Sequence, residues 1–256
     1  MKSLFDVSGK TAIVTGGSSG IGAMIARGFV ENGVKTYISA RKEGPLTAKA
    51  EELSEYGECI AMQADLSSVE GIERFISQVS EREDHIDILV NNAGANWVVP
   101  IDDFPESGWD KVMTINIKSM FFMTQKTLPL LRKSGTDADP ARIINIASIH
   151  GFANPGMPAY AYSASKSGVV HLTKHLATDL AKDKINVNAI APGFFPSNMT
   201  KAAVQNDAIM KDALGNIPRG RAGEPEDMAG TAIYLSSRAS AWVTGHSLVL
   251  DGGEIA

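Results

Sequence analysis

The sequence predicts an α/β fold, a doubly wound parallel sheet of about seven strands with helices on both faces. Three observations carry this. Short apolar runs of strand length alternate with longer segments of helical periodicity from one end of the chain to the other. The run Arg142-Ile143-Ile144-Asn145-Ile146-Ala147 is nearly continuously apolar, as a strand covered on both faces must be. The first run opens directly onto a cluster of glycines at the start of a helical pattern, the turn such sheets use to approach a ligand.

In order, Thr11 to Thr15 is the first strand. The turn Gly16-Gly17-Ser18-Ser19-Gly20-Ile21-Gly22 opens a helix through about Asn32, stopped by Gly33. Val34 to Ser39 and Leu46 to Tyr56 form the second strand–helix pair, and Cys59 to Gln63 with Val69 to Arg82 the third. Ile86 to Val90 is a fourth strand, ending in Asn91-Asn92-Ala93-Gly94. One long helix is expected from Glu106 to Arg132; over Val112 to Met123 it carries apolar residues on more than one face, as a helix covered on two sides does. The polar stretch Ser134 to Pro140 is a loop. The fifth strand, a helix carrying Tyr162 to about Lys182, and a sixth strand, Ile185 to Ala191, follow. After a Pro192-Gly193 turn, the segment Phe194 to Pro218 reads as mobile, before a helix from Glu226 to Leu235 and a last strand, Ser247 to Leu250. No repeat, low-complexity tract or linker interrupts the series, so residues 1–256 read as one domain.

Composition excludes several classes. A net charge of −5 argues against electrostatic nucleic-acid binding. No window reaches the roughly 20 apolar residues of a membrane span, and the N-terminus lacks the apolar core of a signal peptide. The single Cys59 cannot form an internal disulfide, which fits a reducing, cytoplasmic setting with Cys59 as a core filler.

Gly16, Gly20 and Gly22 stand between strand and helix, so the backbone can approach a ligand closely and a pyrophosphate can meet free N–H groups at a positive helix end. This is the Rossmann-like nucleotide-binding context. The second strand ends in Ser39-Ala40-Arg41-Lys42 with no carboxylate for a ribose 2′-hydroxyl. Arg41 can instead grip a 2′-phosphate bidentately, with Lys42 adding charge, which points to NADP(H). Tyr162 and Lys166 stand four apart, hence on one face of a helix. A phenol beside an ammonium is an acid/base unit, because the cation stabilises the phenolate. Ser148 follows the fifth strand, at the edge of the sheet where ligands bind. Taken alone, a Tyr–Lys pair is more often a partly exposed pair with no role.

Together these residues resemble the short-chain dehydrogenase/reductase family along essentially the whole chain. The matching pieces are Thr15-Gly16 through Gly20-Ile21-Gly22, Asp65-Leu66, Asn91-Asn92-Ala93-Gly94, Asn116, Ser148, Tyr162-Ser-Ala-Ser-Lys166 and Pro192-Gly193. The resemblance implies strand order 3-2-1-4-5-6-7 and a catalytic group of Asn116, Ser148, Tyr162 and Lys166. It also implies that Asp65 and Leu66 hold the adenine, and that Asn92, Ala93 and Gly94 line the cofactor. Lys166 would bind the nicotinamide ribose, and Asn116 would hold a water that relays protons. The glycine-loop residues Gly16, Ser18, Ser19, Gly20, Ile21 and Gly22, with Pro192, Gly193 and Ser197, complete the expected cofactor contacts, Ser197 offering its hydroxyl to the carboxamide. No metal ligands are assigned.

The chain departs from the family pattern in places. Ser148 and Tyr162 are 14 residues apart where 13 is commoner, which places an extra residue in the loop Phe152 to Pro158. Tyr160 is a rival tyrosine, but Ala164 rather than a lysine lies four residues after it. Ser19 stands where NADPH users often carry a basic residue.

Within the family, Ala159-Tyr-Ala-Tyr162 and Ala191-Pro-Gly-Phe-Phe-Pro-Ser197-Asn-Met-Thr200 resemble 3-oxoacyl reductases of the rhamnolipid-biosynthesis branch. The expected activity is therefore NADPH-dependent reduction of a 3-oxoacyl thioester, a small-molecule substrate, by a homotetramer. Two alternatives are a secondary-alcohol or polyol dehydrogenase of the same family and a nucleotide-binding regulator without turnover. The full set Asn116, Ser148, Tyr162 and Lys166 disfavours the regulator. Trp97, Phe194, Phe195, Pro196 and Met199 are expected to converge as an apolar lid for an alkyl chain.

Overall fold

The structure, a computed structural model, describes residues 2–154, 156–197, 199–200 and 205–256. Seven parallel strands form one sheet in the order β3-β2-β1-β4-β5-β6-β7. They are β1 (Thr11–Thr15), β2 (Lys35–Ala40), β3 (Cys59–Gln63), β4 (Ile88–Asn91), β5 (Ala141–Ile146), β6 (Ile185–Pro192) and β7 (Ser247–Leu250). The order reverses between β1 and β4, and at such a switch point the carboxyl ends of the strands open into a crevice.

Strand side chains alternate between two cores. Ala12, Val14, Ile38, Ile88, Val90, Ile144 and Ile146 face α1 (Gly20–Glu31), α2 (Glu43–Ser54) and α8 (Pro225–Ser236). Ile13, Tyr37, Leu89 and Ile143 face α3 (Val69–Ser80), α5 (Ser119–Ser134) and α6 (Tyr160–Leu180). The inner strands are buried on both sides, which is why their runs read as continuously apolar, whereas the edge strands β3 and β7 are only partly covered.

The element boundaries follow the sequence reading to within about three residues, with two larger differences. The expected helix Glu106 to Arg132 is α4 (Glu106–Met113) and α5 joined by a π-helical turn, Thr114–Lys118. Pro129 sits inside α5, where it removes a backbone donor without ending the helix. Within the segment Phe194 to Pro218, read as mobile, a helix α7 (Asp207–Gly215) forms, capped by the Asn206 side chain on the N–H groups of Ala208 and Ile209. Residues 198 and 201–204 of that segment, and 155 in the loop expected to carry the extra residue, lie outside the described residues.

Candidate active site

The adenosine end is built by sterics and backbone. Gly16 has φ +67°, and a Cβ there would lie 2.9 Å from the Asn92 amide nitrogen and 3.2 Å from Ala93 Cα. A Cβ on Gly22 would overlap the same amide and the Gly16 carbonyl. Any side chain at either glycine would wedge the turn away from β4. Thr15 locks the turn: its buried hydroxyl donates to Val90 O at 3.2 Å and accepts from Asn92 N at 2.9 Å and Ala93 N at 3.0 Å. Asn92 Nδ2 donates back to Thr15 O at 2.7 Å. The first turn of α1 holds no acidic residue, so its positive end is left for an anion. Ser18 is half-buried in the turn, Ser19 is the N-cap residue of α1, and Ile21 packs on the core behind it.

At the ends of β2 and β3, Arg41 and Lys42 are exposed, Asp65 is exposed, and Leu66 is buried. Asp65 accepts from Ser67 N at 3.0 Å. Hydrogen bonds from Ser67, with Arg41 and Arg74 adding smaller electrostatic help, hold its carboxyl below the usual range. A cleft of about 210 Å³ opens here, lined by Arg41, Gln63, Asp65, Gly71, Arg74 and Gln78. Arg74 was not among the expected residues. It stands on the second turn of α3, after the Ser68 cap, and only the β3-to-α3 connection brings it beside Arg41. The glycine cradle and a cleft with two arginines fit a dinucleotide bearing an extra phosphate.

The catalytic end is built by buried side chains. Ser148 follows β5, and Tyr162 and Lys166 sit in the first turns of α6. The Ser148 side chain beside the Tyr162 phenol favours its ionised form, but burial outweighs it and raises the pKa of Tyr162. Lys166 is 4% exposed, donates from Nζ to Ile146 O at 2.6 Å, and lies 5.5 Å from the Tyr162 ring centroid. Burial lowers its pKa to about 8. The ammonium is thus anchored on β5 rather than on the phenol, and burial dominates the titration of Tyr162.

The π-turn turns Asn116 inward, where it is 1% exposed. Its Oδ1 accepts from Ala95 N at 2.8 Å, and its Nδ2 donates to Ala95 O at 3.0 Å and to Ser165 Oγ at 2.9 Å. The amide therefore ties the loop after β4 to α6. A Cβ on Gly94 would lie 3.4 Å from Asn116 Oδ1, an ordinary contact distance, so Gly94 lies directly against this amide. Beneath the site, Asn91 Nδ2 donates to Thr124 Oγ1 at 3.1 Å and to Asn145 Oδ1 at 3.0 Å, and Asn145 Nδ2 donates to Thr173 Oγ1 at 3.0 Å.

Pro192 ends β6, and a Cβ on Gly193 would meet Asp251 and Glu254 Oε2 at 2.7 and 2.9 Å. Ser197 is held by Thr200, whose Oγ1 accepts from Ser197 N at 2.8 Å, and it lies against Gly20. The loop after β6 therefore covers the glycine turn. The expected apolar lid forms only in part. Phe195 is 3% exposed in the core under Gly223, and Trp97 packs on Gly108 with Lys111 over its ring at 5.4 Å. Met199, 54% exposed, remains over Gly94.

A family model described as short chain dehydrogenase matches residues 10–208. The chain belongs to the short-chain dehydrogenase family. Among its relatives, the rhamnolipids biosynthesis 3-oxoacyl-[acyl-carrier-protein] reductase of Pseudomonas aeruginosa is 45% identical over 99% of each chain. The 2-dehydro-3-deoxy-D-gluconate 5-dehydrogenase of Escherichia coli is 38% identical over 99% of this chain and 98% of its own. The solved Pseudomonas aeruginosa RhlG/NADP active-site complex superposes with a TM-score of 0.97 at 44% identity, covering 99% of each chain. As a short-chain dehydrogenase, the chain has the fold and strand order its motifs imply.

Proposed function

We propose that the chain is an NADPH-dependent reductase of 3-oxoacyl thioesters in which Tyr162 is the general acid. The observation that carries this is the Tyr162–Ser148 pair at the carboxyl end of β5, on the same edge of the sheet as a glycine cradle and an arginine-lined cleft. Likeness to a P. aeruginosa 3-oxoacyl-[acyl-carrier-protein] reductase and to a solved NADP complex supports substrate class and cofactor alike.

Gly16, Gly20 and Gly22 would hold the pyrophosphate, Arg41 and Lys42 the 2′-phosphate, and Asp65 and Leu66 the adenine. Asn92, Ala93, Gly94, Pro192, Gly193 and Ser197 would line the nicotinamide half. When bound, NADPH supplies the hydride. Ser148 and Tyr162 direct hydroxyls at the substrate carbonyl and stabilise the charge that develops on its oxygen. Tyr162, kept protonated by burial, gives its proton to that oxygen. Lys166 places a cation close enough to favour the resulting tyrosinate. Both amide protons of Asn116 are engaged and its Oδ1 already accepts from Ala95 N, so a relaying water would be held by the acceptor capacity that remains on its carbonyl oxygens.

The reading extends to a cytoplasmic homotetramer. No helix among the described residues is long and apolar enough to cross a membrane, and Cys59 is a free, buried thiol. Trp109 and Phe121 on α4 and α5, and Trp242 before the edge strand β7, are exposed at 42%, 38% and 99%, apolar surface that a second copy would cover.

The test is NADPH oxidation with acetoacetyl-coenzyme A, a longer 3-oxoacyl ester, its carrier-bound form and a keto-sugar. Thioester reduction, with coenzyme A esters accepted at least as well as carrier-bound ones, is expected. Preference for the keto-sugar would move the chain to the second reading, a sugar dehydrogenase, which the E. coli relative favours.

A further inference from the structure

Beside the Ser148 and Tyr162 hydroxyls stands a polar group that proton and hydride transfer do not use. His150 lies on the short turn Ile149–Gly151, and its backbone N–H donates to Ser148 Oγ at 3.2 Å. The turn that sets the hydroxyl therefore sets the imidazole. The ring meets the Tyr162 ring edge to face, with centroids 5.3 Å apart at 81°. Its Nδ1 pairs with Ser163 Oγ at 3.2 Å. Two neighbours hold the ring and the Ser148 hydroxyl holds its backbone, while Nε2 has no partner among the described residues.

His150 is half-buried, and burial holds its pKa below the ordinary value, so at neutral pH the ring is neutral with one donor and one acceptor. The Ser163 hydroxyl can rotate to donate to Nδ1, which leaves the proton on Nε2. His150 Nε2 is not sealed from solvent, so its N–H is open to an acceptor on a ligand in place of water.

We propose that His150 Nε2–H is a substrate-recognition donor that binds a second carbonyl oxygen, two carbons from the ketone being reduced. The inference rests on the thioester reading above and deepens it. In a 3-oxoacyl thioester the ketone oxygen lies between Ser148 and Tyr162. The thioester carbonyl, one methylene away, is the further acceptor of the reacting unit. Because one turn fixes His150 relative to Ser148, the two oxygens are read together. An isolated ketone engages the hydroxyl pair alone.

The experiment measures kcat and KM with NADPH for an acetoacetyl N-acetylcysteamine thioester and for an aliphatic methyl ketone of matched length. The wild type is compared with His150→Phe, which keeps an aromatic ring and removes the donor, His150→Gln, which restores an N–H, and Ser163→Ala. In His150→Phe the thioester-to-ketone ratio of kcat/KM is expected to fall about tenfold or more, chiefly through KM, as loss of one ligand hydrogen bond predicts. His150→Gln should recover most of the ratio, and Ser163→Ala should lower it less. If His150→Phe fails to fold, His150→Leu, which also removes the donor, takes its place with the same fall expected. A ratio that does not move, or equal losses on both substrates, overturns the proposal and makes His150 only a support for Tyr162. A wild type that reduces no thioester overturns the activity reading and this inference with it.

Discussion

The two ends of the crevice solve their problem with different materials. At the adenosine end the backbone does the positioning: Gly16 and Gly22 are small because Asn92 and the Gly16 carbonyl leave no room, and one threonine hydroxyl stitches the turn to β4. At the catalytic end buried side chains do it, with Asn116 spanning two elements, Lys166 anchored on β5, and an asparagine–threonine chain below. A backbone cradle tolerates any ligand of the right shape and charge. A side-chain network fixes individual atoms, which acid catalysis requires.

That contrast breaks most sharply at Tyr162. Tyr162→Phe should lower kcat by about 10²–10⁴-fold, the range of general acid catalysis, while NADPH affinity by fluorescence titration stays within a few-fold. Substantial remaining turnover would remove Tyr162 from the role.

Lys166 gives the next largest effect, read in stability against pH. Its folded pKa, about 8, lies below the ordinary 10.5. The unfolded chain therefore binds more protons between these values, and stability attributable to this residue rises with pH across that window. Below about pH 8 the whole penalty of burying the cation is present. Denaturant unfolding of the wild type relative to Lys166→Met should show a gain of at most about 3 kcal/mol from pH 8 to 10.5. A flat difference would mean that the ammonium is not desolvated.

At the other end, Arg41→Ala with Lys42→Ala should weaken NADPH by roughly 1.5–3 kcal/mol more than NADH, since only the former carries the contacted phosphate. Equal weakening would end the phosphate role. Arg74→Ala is the smallest change. As an exposed cation at the rim of the same cleft it should cost NADPH about 0.2–1 kcal/mol and NADH nothing measurable.

The same division explains what could be read from residues alone. The glycine turn, the strands and the Tyr162–Lys166 spacing are local patterns, so they were legible. The π-turn at Thr114–Lys118 was not, because helical periodicity continues through it and the extra residue is absorbed only when Asn116 finds Ala95 and Ser165. Arg74 was missed since its meaning depends on Arg41, 33 positions away and joined only by the packing of β2, β3 and α3. Phe195 looked like a lid residue by position, yet Gly223, from a distant turn, leaves the space that draws it inward.

The chain Asn91–Asn145–Thr173 has a consequence for how such a sequence can drift. The chain extends to Thr124, which accepts from Asn91, while Asn145 receives from β4 and gives to α6. Replacing any one with an apolar residue strands a buried amide or hydroxyl at about 1–3 kcal/mol, whereas replacing all four with well-packed apolar groups strands none. Viable descendants should therefore keep the group or exchange it together, so these four positions, far apart in the chain, are inherited as one character.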